Sequence, residues 1–487
     1  MPDAKMRALF RCNASVDIGI GHAMRCLAFA ETLRWAGWAC RFSMNREATA
    51  VVPALLRGDI ELDVAESAEV ADLKGARLAV VDNYGLDSRF ELQLREQGAE
   101  VIVFDDLADR AHDCAVLLDP TPGRADEKYK DIVPADCRLL LGPRYAIIGD
   151  RWLSHRRASR KRLSAGKPVE RIVVSMGGTD PNDATRRVLA GLAASGTKAH
   201  VDIVIGAGAP HRAELAGMAG PSLAIHVDHP DVAGLAAEAD LAIGAAGTSS
   251  FERALLGLPA ILVPLADNQR AVAAAFSAAE AAEVVPAAIL NDAKAFGARI
   301  AALAGDGERR AAMGQRAARL TDGRGRLRLL AALPGRATTR SGLTAMLRLA
   351  EAEDEQWLLD LQRQEATRRF ARHPAVPSTA EHAAWFADVL EDRDRLLMIV
   401  ESDRGPSGMV RLDRLSGHHA SFEISIAIDS RRHGEGLARA ALHLVRNLAP
   451  GADLIATVNA ENRASLALFA AAGFKPEGQD RYRSRAA

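Results

Sequence analysis

Short apolar runs, each followed by a stretch of helical spacing, recur from Leu9-Phe10 to Ala260–Val263. The others are Leu78–Val81 (LAVV), Val101–Phe104 (VIVF), Arg171–Ser175 (RIVVS), Val201–Ile205 (VDIVI) and Leu241–Ile243. Between the first two, Ala23–Ala36 places Met24, Leu27, Ala28 and Leu33 at helical spacing. Strands alternating with helices are the pattern of a parallel sheet with crossover helices. The expected class is therefore α/β. Ligands of such sheets lie outside the carboxyl ends of the strands, often on glycine-rich turns.

At about 100–200 residues per domain, 487 residues call for three domains. The strand series divides into a first Rossmann-like domain over 1–150 and a second over 151–335. The basic segment Arg151–Lys167, ahead of Pro168, reads as a surface connection. Leu333–Gly342 (LPGRATTRSG) clusters Pro, Gly, Ser and Thr and reads as a linker into a third domain over 343–487. Lys+Arg (62) and Asp+Glu (63) nearly cancel, which argues against a general nucleic-acid binder. Cys12, Cys26, Cys40, Cys114 and Cys137 include no CxxC and read as reduced thiols. The start carries no signal-peptide pattern and no apolar run reaches the ~18 residues of a membrane span, so a cytoplasmic protein is expected. No metal-ligand spacing stands out, and metal-independent chemistry is expected. Asp105-Asp106 is an acidic pair for which surface or capping roles are commoner.

Three segments carry chemistry. In Ile18–Arg25 (IGIGHAMR), Gly19 and Gly21 precede His22 at a helix start. Free amides there suit a phosphate or sugar oxygen, and the helix dipole disfavours a protonated imidazole, leaving a neutral base. A capping or packing histidine is the alternative. In Ser175–Asp180 (SMGGTD), Gly177 and Gly178 permit close backbone approach to a ligand and Thr179 adds a hydroxyl. In Ile243–Gln269, the turn Gly247-Thr248-Ser249 opens a helix holding Glu252, and Asn268-Gln269 follow the next strand. Amides at that turn suit a diphosphate, and Glu252 suits ribose hydroxyls. Simple helix-start roles for Glu252 and Asn268 remain open.

Arg11–Ala30 (RCNASVDIGIGHAMRCLAFA), Asp82–Gly85 (DNYG), Phe104–Arg110 (FDDLADR) and SMGGTDPN resemble the UDP-sugar hydrolases of the pseudaminic-acid pathway, over roughly Met6–Ala331. Ile243–Gln269 is similar to the donor-binding region of the lipid II glucosaminyltransferases. The resemblance implies two Rossmann-like domains facing across a cleft (GT-B type). It makes His22 the base that activates water and puts Tyr84 near the sugar. It implies further substrate contacts at Asn13, Gly21, Arg25, Gly177, Gly178, Thr179, Gly247, Thr248, Ser249, Glu252, Asn268 and Gln269.

The third domain adds a different chemistry. Glu423–Leu442 reads as an alternating strand, then Arg431-Arg432-His433-Gly434-Glu435-Gly436-Leu437-Ala438, then a helix. This loop, with Val458–Phe474, resembles the GNAT acetyltransferases over about Leu343–Arg483. The resemblance implies an α/β domain with a central mixed sheet and acetyl-CoA as co-substrate. It would be held by Ile426, Ile428, Arg431, Gly434, Gly436, Leu437, Ala438, Asn462 and Ser465, with Glu423 as base. Phe469 stands where many members carry a tyrosine acid; Tyr482 or solvent are the alternatives. Together the halves imply a bifunctional enzyme acting on a UDP-amino-sugar. A glycosyltransferase with an appended acetyltransferase, and a nucleotide-sugar-binding regulatory module, are the rival readings.

Overall fold

The computed structural model describes residues 6–56, 60–65, 73–163, 167–417 and 420–486, and builds three sheets. The first contains β1 (Arg7–Cys12), β2 (Ala39–Met44), β3 (Glu61–Val64), β4 (Leu78–Asp82), β5 (Glu100–Phe104), β6 (Val116–Asp119) and β7 (Arg138–Leu141), in the order β3-β2-β1-β4-β5-β6-β7. Its pairs β2–β3, β1–β4, β4–β5, β5–β6 and β6–β7 are parallel.

The second sheet contains β8 (Arg171–Ser175), β9 (His200–Ile205), β10 (Leu223–Val227), β11 (Leu241–Ala245), β12 (Ala260–Val263) and β13 (Glu283–Val284), parallel throughout in the order β10-β9-β8-β11-β12-β13. Its period-2 side chains divide between two apolar cores. Ile172, Val174, Ile243 and Ile261 enter one, and Val173, Ala242 and Leu262 enter the other. Burial on both faces is why these strands read as unbroken apolar runs.

The third sheet is mixed: β14 (Arg336–Thr338), β15 (Thr344–Leu349), β16 (Arg395–Ser402), β17 (Gly405–Arg414), β18 (Ser421–Ile428), β19 (Asp453–Thr457), β20 (Lys475–Pro476) and β21 (Arg481–Ser484). Only β18–β19 is parallel. Chain contacts group residues 7–30 with 40–326, and residues 31–39 with 327–486, into two compact units.

Two expectations about connections need correction. The basic segment after Gly149 is a helix, Asp150–Leu163, rather than a surface connection; residues 164–166 lie outside the described residues. Its Trp152, Leu153 and Leu163 pack on the second domain's core. Its Ser159 hydroxyl donates to the Leu256 carbonyl at 3.1 Å and Arg160 Nε to the Leu255 carbonyl at 2.8 Å. The charged side chains thus satisfy carbonyls at another helix's end. The Pro-Gly-Ser-Thr stretch at Leu333–Gly342 is likewise not all linker, because Arg336–Thr338 pairs antiparallel with Thr344–Met346.

Candidate active site

The register of β1 with β4 sets Cys12 beside Asp82, so the carboxyl end of β4 lies next to the loop leading to the Gly21–Trp35 helix. His22, in that helix's first turn, is 9% exposed and its surroundings are polar. Its Nδ1 lies 2.5 Å from Asp82 Oδ1. Arg25, one turn on, donates to both oxygens of Asp82 at 2.6 Å and to Asp106 Oδ2 at 3.1 Å. The Tyr84 hydroxyl donates to Asp106 Oδ1 at 2.6 Å, and its ring meets the imidazole edge-to-face at 4.6 Å. Burial would raise the Asp82 pKa, but Arg25 and then His22 outweigh it and hold this carboxyl well below its usual range. Burial and the neighbouring Asp106 push the Tyr84 hydroxyl far up, so it stays a donor.

This geometry bears on the expected base role of His22 by a route other than the helix dipole. A carboxylate fixed on Nδ1 accepts a hydrogen bond from the Nδ1–H, which keeps the hydrogen on that nitrogen and the lone pair on Nε2. It also stabilises the imidazolium formed when Nε2 accepts a proton, which the helix dipole alone would oppose. No local sequence signal marks Asp82 or Asp106 as a site residue. The expected substrate contact Arg25 is 5% exposed and engaged by these two carboxylates. Asn13 is also diverted, its oxygen accepting from Arg11 at 2.6 Å and from the Asn45 amide at 3.2 Å. Asp105, by contrast, accepts from the Ala108 amide and the Tyr129 hydroxyl at 2.8 Å each and braces its own loop.

The second domain closes on this cluster within the same compact unit. Asn268 Nδ2 donates to the Tyr84 hydroxyl at 3.2 Å. A Cβ on Gly21 would lie 3.5 Å from Thr248 Oγ1, and one on Gly178 would strike Ile20 Cδ1 at 2.4 Å. Gly178 is therefore a point of close approach between the two loops, while Gly177, at φ +107°, holds a backbone that favours glycine. Thr179 is buried, and Asp180 caps the Ala184–Ser195 helix through the Ala184 and Thr185 amides. Gly247 and Thr248 lead into the Ser249–Leu256 helix. Gln269 accepts from the Leu265 amide at 2.9 Å, and its Nε2 would lie 3.9 Å from a Cβ on Gly247. Glu252 has no hydrogen-bond partner among the described residues, and burial pushes its carboxyl up to about 7 against the pull of Arg253. The cleft thus brings together a His–Asp dyad, a helix N-terminus suited to an anion and an unengaged carboxyl suited to hydroxyls.

In the third domain, β18 and β19 pair only from Ser421 to Glu423 and then part, so β18 is open on that side from Ile424 to Ile428, including Ile426 and Ile428. Glu423 stands where they part, accepting from Arg372 and, at 2.9 Å, from the Thr457 hydroxyl. Gly434 (φ +85°) and Gly436 (φ +82°) turn the chain into the Leu437–Leu448 helix, whose first amides, Leu437 and Ala438, have no intrahelical acceptor. An open strand edge beside a glycine-built helix start fits a pantetheine arm and a pyrophosphate. The Leu437 side chain is core, leaving only its amide for that task. Arg431 pairs with Asp429, whose carboxyl it pulls down to about 2. Asn462 caps the Arg463–Ala471 helix by accepting from the Ser465 amide at 3.1 Å. Phe469 is buried against Phe474.

These features set a polar cleft with a His–Asp dyad in the same chain as a mixed-sheet domain with an open strand edge beside a glycine-built helix start. Residues 172–324 match the glycosyltransferase family 28 C-terminal domain, and residues 345–475 match the acetyltransferase (GNAT) domain. The chain is therefore an enzyme carrying a glycosyltransferase-28-type domain and a GNAT domain. The first implies a nucleotide sugar and the second acetyl-CoA. It is similar to the UDP-2,4-diacetamido-2,4,6-trideoxy-beta-L-altropyranose hydrolase of Campylobacter jejuni, 25% identical over 36% of this chain and 61% of that protein. It is also similar to the spore coat polysaccharide biosynthesis protein SpsG of Bacillus subtilis, 28% identical over 31% of this chain and 45% of that protein. Each match spans less than two thirds of the relative's length. Among solved structures, MurG of Acinetobacter baumannii is 18% identical with a TM-score of 0.46, over 66% of this chain and 98% of that one. The spermidine N-acetyltransferase of Vibrio cholerae is 23% identical with a TM-score of 0.26, over 28% of this chain and 92% of that one. No described helix is long and apolar enough to cross a membrane.

Proposed function

We propose that this chain is a bifunctional enzyme of pseudaminic-acid biosynthesis. One activity hydrolyses UDP-2,4-diacetamido-2,4,6-trideoxy-β-L-altropyranose to UDP and the free sugar. The other N-acetylates the UDP-4-amino-sugar precursor. Three domains, over roughly 1–150, 151–335 and 343–487, divide the work. The observation that carries the hydrolase half is the His22–Asp82 dyad at the cleft.

In the hydrolytic step, His22 Nε2 takes a proton from water as the water oxygen bonds to sugar C1. The C1–O bond breaks, and its electron pair leaves on the β-phosphate oxygen. Asp82 keeps the imidazole oriented and offsets its new charge. Amides at Gly247–Ser249 face the departing diphosphate, Glu252 accepts from the ribose, and Tyr84 with Asn268 borders the sugar.

In the acetyltransferase half, bound acetyl-CoA supplies the acetyl group. Gly434, Gly436, Leu437 and Ala438 offer their backbone to its pyrophosphate, and the open edge near Ile426–Ile428 offers donors to its carbonyl. Glu423, held by Arg372 and Thr457, takes the amine proton directly or through water.

The test is mass spectrometry of products from the UDP-4-amino-sugar with and without acetyl-CoA. A free diacetamido sugar appearing only with acetyl-CoA supports both halves; its absence under both conditions refutes the bifunctional reading. The family 28 match favours one rival, a transferase that hands the sugar to an acceptor. UDP release that needs an added acceptor would favour that rival.

A further inference from the structure

The second sheet reverses its strand order between β8 and β11, the switch point outside which ligands of open parallel sheets bind. A buried guanidinium lies at that point. Arg253, on the Ser249–Leu256 helix, is 5% exposed. Its Nη2 donates to the Ala245 carbonyl at 2.7 Å and to the Ser250 hydroxyl at 3.2 Å, and its Nη1 donates to the Ser249 hydroxyl at 3.1 Å. A Cβ on Gly244 would sit 2.7 Å from Nη1 and 2.8 Å from the Ser175 carbonyl. The guanidinium thus occupies space that glycine leaves free between the carboxyl ends of β11 and β8. Its Nε has no partner. Its acceptors are neutral, and among the described residues no carboxylate forms an ion pair with it.

A buried cation whose nearby carboxyl, Glu252, is itself discouraged from ionising by burial is poorly balanced and unfavourable for the fold by itself. An anion arriving at the turn above it would supply that charge. The hydroxyl of Ser249, having accepted from Arg253, keeps its own hydrogen to donate outward, and charge-assisted bonds of this kind strengthen one another.

We propose that Arg253 is a positioning residue for the departing diphosphate. It sets the first turn of the phosphate-facing helix through Ser249 and Ser250 and places a fixed positive charge beneath it. This rests on the reading of the cleft as a nucleotide site.

The test is calorimetric binding of UDP and of uridine to the full-length protein, comparing wild type, Arg253→Gln, Arg253→Lys and Ser249→Ala. The expected result is a loss of UDP affinity in Arg253→Gln of about ten- to a hundredfold, the range of one charge-assisted hydrogen bond. Measured at pH 8, uridine affinity should fall far less than UDP affinity, Arg253→Lys should recover part of the loss, and Ser249→Ala should weaken UDP alone. UDP and uridine affinities that fall in parallel in the variants would overturn the inference and leave Arg253 a structural residue. If Arg253→Gln does not fold, Arg253→Lys and Ser249→Ala decide by the same ratio. Wild type that binds neither ligand would instead overturn the nucleotide reading, whatever the variants do.

Discussion

On the proposed reading, His22 is a base only while its Nδ1 keeps a hydrogen, and the Asp82 carboxylate 2.5 Å away holds it there. An amide at position 82 can present its NH2 to Nδ1 and so reverse the tautomer. It also strips the buried Arg25 of its bidentate carboxylate. Asp82→Asn should therefore lower kcat for UDP release by about 10²–10⁴. It should also cost about 3–5 kcal/mol of stability, because a buried charge loses its partner. Steady-state kinetics and thermal denaturation read the two effects separately. Glu252 sets a pH dependence. With its pKa near 7, it is a carboxylate above that pH and protonated below it, when it accepts ribose hydrogens less well. UDP affinity should rise as pH increases through 7 and lose that dependence in Glu252→Gln; calorimetry between pH 6 and 8 checks it. Little of this dyad was legible in the sequence. His22 announced itself by its glycines, but Asp82 lies 60 positions away in the chain. Only the parallel pairing of β1 with β4 joins them. Arg25 and Asn13 sat in a suggestive motif, yet local spacing does not reveal the partners that engage them, Asp82 and Asp106 for Arg25, Arg11 and Asn45 for Asn13.

At the scale of elements, the apolar strands were legible because both faces of the second sheet are buried, so each run is continuous. The Asp150–Leu163 helix was not. Its arginines and lysines hide the few apolar positions that dock it, and the carbonyls its charged side chains reach belong to distant residues. Asn462 shows a related ambiguity, since the same side chain serves equally as a helix cap and as a ligand contact, and the cap is made. Close helix packing makes a sharper prediction. The Ala184–Ser195 and Ala293–Gly305 helices meet at Gly297, where a Cβ would lie 2.8 Å from the Ser195 amide nitrogen and 2.9 Å from the Gly191 carbonyl oxygen. Gly297→Ala gains about 1 kcal/mol of helix propensity. The overpacking against backbone costs about 1–3 kcal/mol and should win. A lowered Tm is the expected outcome, measured by thermal unfolding.

For the whole molecule, the residues proposed for the two chemistries belong to different compact units, His22 and Glu252 to one and Glu423 to the other. The activities should therefore be separable by substitution. Glu423→Gln should lower acetyl transfer with UDP release unchanged, and His22→Ala should do the reverse. Parallel assays for CoA thiol and for UDP check both. Joining the two sites in one chain raises the concentration of each near the other without requiring a new contact.

The most direct measurement is the time course of UDP release from the UDP-diacetamido-sugar in buffer with no acceptor, for wild type and His22→Ala. Sustained turnover by wild type is expected. In His22→Ala, kcat should fall by about 10²–10⁴ while UDP still binds. Turnover at the wild-type rate without the imidazole, or no release until an acceptor is added, would contradict water activation by His22.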